Sequence, residues 1–407
     1  MTNGKIEKLR GLYSVYYEIK HNYPNKQKLI DINWDNELIS AETEVVNCSS
    51  LYEYYIALMK YISLVDDGHT TIMPPWMINP EGFSKPALEL TLIDNKIVVS
   101  RVGNVTELRS NNISCGNIIT HIDDVPVLEA LASINKIYAR GSKQANEKIN
   151  TYFLLLGDQK KKVYVRFENS GDDVALTRSI VEDDGNYFID GFIDFDKPYE
   201  IKKLENDIYY CKILSFSTMK VADAIIEVIA NNNPKGLIFD LRLNLGGNDQ
   251  VASKIISHII GETVSSPIWR CQLQNQAFEL WGKDFPVEDI QNHINPASNN
   301  TFTKEVILLT SGMTSSTAED MVLILKEAKR ATIVGGRTAG SSGNPKTTKL
   351  PFGGSLRVSS FTPLTPSKKE YLGTGIKPDI ECFDTVESLR ENRDIVLETA
   401  IKLFNKD

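Results

Sequence analysis

Residues 306–345 gather hydroxyls where they could do chemistry. The apolar run Val306-Ile307-Leu308-Leu309 predicts a strand, and the small turn Thr314-Ser315-Ser316 after it opens an amphipathic helix from about Ser316 to Lys329. A serine at a strand-to-helix turn has its oxygen held by tight backbone. It also lies beside the unpaired N–H groups of the helix start, a setting that suits a nucleophile facing a developing oxyanion. The same residues serve equally as a helix cap, with Glu319 closing a capping box. A second motif, Phe239-Asp240-Leu241-Arg242-Leu243-Asn244-Leu245-Gly246-Gly247, ends a buried strand in a charged turn and a glycine pair. Glycines there let backbone approach a ligand and present an N–H, half of an oxyanion hole. The structural alternative is a tight strand–helix connection, with Asp240 and Arg242 as an ion pair holding the turn. A third element is His69, in Asp66-Asp67-Gly68-His69-Thr70 at the exit of a predicted helix. A lone histidine is more often a packing or surface residue, but a loop leaving a rigid scaffold is where catalytic side chains tend to sit.

The elements that must position these residues fall into three stretches. Residues 1–80 predict a helical domain, with a stripe of Leu9, Leu12, Tyr13, Tyr16 and Tyr17 and a second helix over 49–64. Residues 84–180 predict a β-rich module, with strands near 87–93, 96–102, 116–122 and 162–168 and a helix over 128–139. From 200 to 407 the pattern alternates strand and helix, which predicts βαβ units on a sheet and a closing helix over 386–403. The polar stretch 285–300 reads as a surface loop.

Composition sets limits. A 407-residue chain with 42% hydrophobic residues supports two or three domains. A net charge of −8 without a Lys/Arg-rich block argues against a nucleic-acid partner. No apolar run reaches the ~20 residues of a membrane span. Five scattered cysteines with no CxxC pair argue against both a disulfide framework and a zinc site. No phosphate loop or dinucleotide fingerprint is present, so no cofactor and no metal is expected. The first residues have no apolar h-region, so a cytoplasmic location is expected, or an exported one if a leader precedes the chain.

Taken in order, Asp66-Asp67-Gly68-His69-Thr70, the 239–247 motif, Ser315-Ser316-Thr317-Ala318-Glu319, Gly335-Gly336-Arg337-Thr338-Ala339-Gly340 and Gly375-Ile376-Lys377-Pro378-Asp379-Ile380 resemble peptidase family S41, the C-terminal-processing and tricorn-like serine peptidases. The resemblance implies an α/β fold: a ClpP/crotonase-like catalytic domain, a PDZ-like β-rich module and an N-terminal helical domain. The processing branch carries a catalytic lysine in the slot that reads Ala339-Gly340-Ser341-Ser342 here, so the chain is similar to the tricorn-like branch, with histidine as base. That implies Ser316 as nucleophile, His69 as general base, and the N–H groups of Gly247 and Thr317 as oxyanion hole, Gly246 being the alternative to Gly247. The resemblance also implies a glutamate orienting the histidine, through an intervening serine in some members. The aligned position is Leu372, and Glu370, two residues upstream and on the same strand face, is nominated in its place. Were His69 not the base, Lys326, Lys346 or Lys349 would follow. The implied partner is an extended polypeptide, bound by strand addition to the module, although Gly82-Phe83 makes a poor carboxylate loop. Two other readings stay open: a non-catalytic ligand-binding relative and a crotonase-like acyl transferase.

Overall fold

The computed structural model describes residues 3–78, 83–178, 182–183, 186–187, 197–272, 276–283, 285–297 and 301–404. Gly82 lies outside them.

At the centre is a six-stranded sheet ordered Tyr199–Lys203, Ile208–Ile213, Gly236–Asp240, Glu305–Thr310, Thr332–Gly335, Ile380–Glu381. The first pair is antiparallel and the rest are parallel. Parallel strands are buried on both faces, and these read accordingly: all five residues of Gly236–Asp240 are buried. Alternate residues face opposite ways. Leu237, Phe239, Val306 and Leu308 join a core with the helices Lys220–Asn232, Asp249–Ile259 and Thr317–Glu327. Ile238, Ile307 and Leu309 meet Val396 and Ala400 of the C-terminal helix Ile395–Leu403. The predicted closing helix is two helices, Val386–Arg390 and Ile395–Leu403, because Asn392 takes a left-handed φ of 54° between them.

The stretch read as a surface loop holds the strand Val287–Ile294, paired antiparallel with Val264–Gln272. Seven of its eight residues are exposed, so it has no alternating apolar face from which to be recognised; residues 298–300 lie outside the described residues.

The β-rich stretch builds a sheet ordered Leu88–Ile93, Lys96–Val102, Ile118–Ile122, Val163–Phe167, Asp173–Leu176, with its own core around Leu88, Ile97, Val163 and Leu131. The N-terminal helices Asn3–Asn22, Trp34–Asn47 and Leu51–Ser63 pack on each other, and Ser50 caps the last through the Glu53 N–H. Their core does not stand alone. It contains Leu350, Leu356 and Val358 from the hairpin of Lys346–Lys349 and Ser355–Val358. The strand Thr71–Met73 pairs antiparallel with Ser355–Val358, Thr71 opposite Arg357. That pairing carries His69, two residues before Thr71, into the C-terminal half of the molecule.

Candidate active site

The site forms where the parallel strands Gly236–Asp240 and Glu305–Thr310 end, the carboxyl edge at which open α/β sheets bind ligands. Ser316 ends the connection from the second strand and precedes the helix Thr317–Glu327. Its backbone is held at φ 56°, ψ −133°, outside the ordinary regions for an L residue. Strain of this kind costs about 1–3 kcal/mol and persists only where surroundings impose it. They do so here: Ser316 N–H donates to the Ser341 carbonyl at 2.7 Å, Ser315 N–H to the Asn244 carbonyl at 3.1 Å, and Ala339 N–H to the Thr314 carbonyl at 2.9 Å. The Ser316 side chain does not cap the helix, and its part-exposed hydroxyl hydrogen-bonds to no described protein group.

The glycine pair lies against this serine. Gly246 has φ +107°, and a Cβ on it would stand 2.6 Å from the Ser316 Cβ. Its N–H donates to Asn244 Oδ1 at 2.8 Å and is therefore already used. Gly247, at φ +145°, and Thr317, first residue of the helix, donate their N–H groups to no described protein acceptor. The Thr317 hydroxyl bonds the Gly247 carbonyl at 2.9 Å and the Asp249 carboxylate, tying the two segments together.

His69 is buried. Its turn is organised by Asp67, whose Oδ1 accepts the His69 N–H at 2.9 Å and whose Oδ2 accepts the hydroxyls of Thr70 at 2.9 Å and Ser359 at 2.7 Å. The ring Nδ1 meets Ser341 Oγ at 2.7 Å. Burial lowers the imidazole to about 4, against the pull of Asp67 and with the help of the Arg357 charge, so the ring is neutral at ordinary pH. Gly68 is required by close approach, since a Cβ there would meet Ser341 Oγ at 2.4 Å.

Ser341 thus joins the two predicted residues: its side chain holds His69 and its carbonyl holds Ser316 N–H. No direct hydrogen bond links Ser316 to His69. Ser341 is fixed from below by Glu319, which accepts the Gly340 N–H at 2.7 Å, the Ser341 N–H at 2.8 Å and the Thr338 hydroxyl. Burial lifts the Glu319 carboxyl to about 7 in spite of these donors. Asp320, also buried, is raised well above the carboxylate range by burial and by the nearby Asp249 charge, and it accepts the Tyr371 hydroxyl at 3.0 Å.

Glu370 is not brought to the histidine. It is exposed, forms an isolated antiparallel bridge with Leu364, and interacts electrostatically with Arg270. The two-residue offset fails because the chain from 365 to 370 folds back on itself, with the Thr365 N–H bonded to the Lys369 carbonyl. Ser341 was missed as a histidine partner. The available signal was a small hydroxyl in the slot where related enzymes carry lysine. Asp240 and Arg242 form the structural ion pair: Arg242 also grips Asp394, and Tyr210 donates to Asp240 at 2.7 Å. Among the described residues no group of three or more His, Cys, Asp or Glu could hold a metal, and no helix is long and apolar enough to cross a membrane.

The fold is that of the S41 proteases, with mixed α/β content. A solved structure of mature CPAF complexed with lactacystin superposes with a TM-score of 0.75 at 14% identity, covering 99% of each chain. The tricorn protease gives 0.55 at 17%, over 99% of this chain and 37% of that one. The photosystem II D1 C-terminal processing protease gives 0.52 at 15%, over 94% of each. Residues 207–382 match the model of peptidase family S41. A carboxy-terminal-processing protease of Bartonella bacilliformis is 28% identical over 223 residues, 50% of this chain and 48% of that protein. The chloroplastic carboxyl-terminal-processing peptidase 3 of Arabidopsis thaliana is 27% identical over 42% of this chain and 31% of its own length. The chain thus spans half or less of the curated relatives it matches.

Proposed function

We propose that the chain is a serine peptidase of the tricorn-like type, cleaving peptide bonds of extended or unfolded polypeptides. Ser316 attacks the scissile carbonyl. His69, neutral through burial, takes the serine proton on Nε2 while its Nδ1–H donates to Ser341, and it later returns the proton to the leaving amine. The N–H groups of Gly247 and Thr317 receive the oxyanion, each donor stabilising the transition state by about 3 kcal/mol. Ser341 stands where Glu370 was expected, as orienter of the ring. The step from the observed contacts to proton transfer is a small side-chain closure of Ser316 toward His69, since catalytic hydrogen bonds in free enzymes often tighten only with substrate. In this reading the domain from 200 to 407 is ClpP/crotonase-like, 84–180 is a PDZ-like module that guides substrate, and 1–80 supports the base.

The observation that carries the proposal is the serine itself. It is held in a strained backbone conformation, its hydroxyl bonds to no described group, it lies beside a glycine pair, and one intervening residue links it to a buried neutral histidine. A fluorophosphonate probe is expected to label wild-type protein and to leave Ser316→Ala unlabelled, a loss of at least about 1,000-fold in rate. Labelling that survives in the variant removes the assignment. The displaced Glu370 favours a second reading, a non-catalytic peptide-binding relative; it predicts no labelling of the wild type at all.

A further inference from the structure

We propose that the Asn244 carboxamide is a further catalytic group, its Nδ2–H donating to Ser316 Oγ as that oxygen gives up its proton and attacks. This rests on the serine-peptidase reading above.

Asn244 lies in the connection that leaves the strand Gly236–Asp240, and it is fully buried. Its backbone N–H donates to the Leu241 carbonyl at 3.0 Å, and its own carbonyl accepts the Ser315 N–H at 3.1 Å. The side chain turns back on the chain, where Oδ1 takes the Gly246 N–H at 2.8 Å. Asn244 thus grips both segments that build the site, the glycine pair and the turn carrying the nucleophile. The bond to Gly246 also fixes which way the carboxamide faces. Turned over, it would set Nδ2 against an N–H, donor against donor.

Nδ2 is left buried with no described hydrogen-bond partner. An orphaned buried donor is unfavourable and rare. The carbonyls of the two segments are already engaged. Ser315 O accepts the Ala318 N–H at 3.2 Å and Ser316 O the Asp320 N–H at 2.9 Å. Gly246 O accepts the Phe216 N–H at 3.0 Å and Gly247 O the Thr317 hydroxyl at 2.9 Å. Ser316 Oγ accepts no described donor, and it is near: a Cβ on Gly246, the residue that Asn244 holds, would stand 3.1 Å from it. A donor that is matched only as the serine oxygen reacts favours the transition state over the resting enzyme. In that step the Ser316 proton passes to His69 Nε2, the bond from Oγ to the carbonyl carbon forms, and the carbonyl electron pair moves onto the oxyanion facing Gly247 and Thr317. The Asn244 hydrogen bond supports Oγ while it carries negative charge.

The test is the second-order rate of fluorophosphonate labelling, per folded molecule and relative to wild type, in Asn244→Asp and Asn244→Ser across pH. Asn244→Asp keeps the shape and the acceptor for Gly246. Ionised, its carboxyl has no donor for Ser316; protonated, it offers an O–H in place of the Nδ2–H. Asn244→Ser keeps a turn acceptor and cannot titrate. At about pH 8.5 both are expected to label about 10- to 100-fold more slowly than wild type, the scale of a hydrogen bond to a charged group. Burial raises a carboxyl, so toward about pH 5.5 the deficit of Asn244→Asp is expected to shrink to about fivefold or less while that of Asn244→Ser persists. A residue that merely held the turn would show no such recovery. A wild-type rate in either folded variant at the higher pH, or identical pH profiles for the two, overturns the role. Should thermal melting show Asn244→Asp unfolded, a folded Asn244→Ser labelled at the wild-type rate overturns it alone. A wild type that labels while the variants keep pace removes this role and leaves the peptidase reading standing; a wild type that does not label removes both.

Discussion

The connection that leaves the strand Gly236–Asp240 passes a charged cluster and then a glycine cluster, and the two are built in opposite ways. At the first, every strong group is matched. Burial would push the Asp240 carboxyl up, but Arg242 outweighs it and holds it below its ordinary value, while Arg242 closes a second bidentate pair on Asp394. A few residues later the chain takes positive φ at Gly246 and Gly247, and against them lies the strained Ser316; there one hydroxyl bonds to no described group, and two N–H groups have no described protein acceptor. Each region is conspicuous in sequence, and only one keeps hydrogen-bonding capacity in reserve. Reserve, rather than charge, distinguishes a place that holds the fold from a place that can hold a transition state.

Mutations can break or sharpen this contrast. The largest stability loss is expected from Arg242→Ala, which leaves Asp240 buried without its cation. The cost is about 3–5 kcal/mol in urea unfolding, with fluorophosphonate labelling per folded molecule unchanged. An equal fall in per-molecule labelling would place the ion pair in the machinery instead. Gly246→Ala reverses the pattern. Its Cβ would drive into Ser316, and labelling is expected to fall about 100-fold, the scale of losing an oxyanion donor. Retained labelling would show that the glycine pair does not shape the serine.

Glu319→Gln tests the support beneath both. The folded carboxyl titrates near 7 against an ordinary 4.5, so its protonated form is favoured by folding. Its contribution is fully present below about pH 4.5 and is lost as the pH rises through 7, on the order of 3 kcal/mol in all. His69 acts with the opposite sign: its lowered value gives stability present above 6.5 and lost as pH falls toward 4. Because His69 is common to both proteins, the informative quantity is the stability of wild type minus that of Glu319→Gln. That difference is expected to shrink from pH 5 to pH 8; a flat difference would mean Glu319 does not titrate in this range. The smallest effect is expected at Glu370→Gln, within about twofold in labelling rate, as for an exposed residue removed from the ring. A loss of 100-fold there would restore it as orienter.

Much of the frame could be read from periodicity. The helix after Ser316 and the strands at 208–213, 236–240 and 305–310 are long, apolar and flanked by turn residues, so their pattern and their burial agree. Val287–Ile294 escaped because seven of its eight residues are exposed and leave no hydrophobic alternation, and Val264–Gln272 because its buried residues, Ser266, Pro267 and Ile268, run consecutively instead of alternating. Ser341 and Glu319 escaped for a different reason. A loop hydroxyl and a carboxylate at the third residue of a helix look like turn and capping chemistry. Their part in holding His69 depends on a meeting across 272 residues that no local pattern encodes. Glu370 shows the reverse error: parity along a strand says which face a side chain takes, but it presumes that the strand continues.

The sheet formed by Thr71–Met73, Ser355–Val358 and Lys346–Lys349 joins segments that lie far apart along the chain. The turn that holds the imidazole is incomplete until residue 359 is in place, because its hydroxyl bonds Asp67. In the proposed peptidase reading, hydrolytic competence is therefore withheld until that long-range pairing is made.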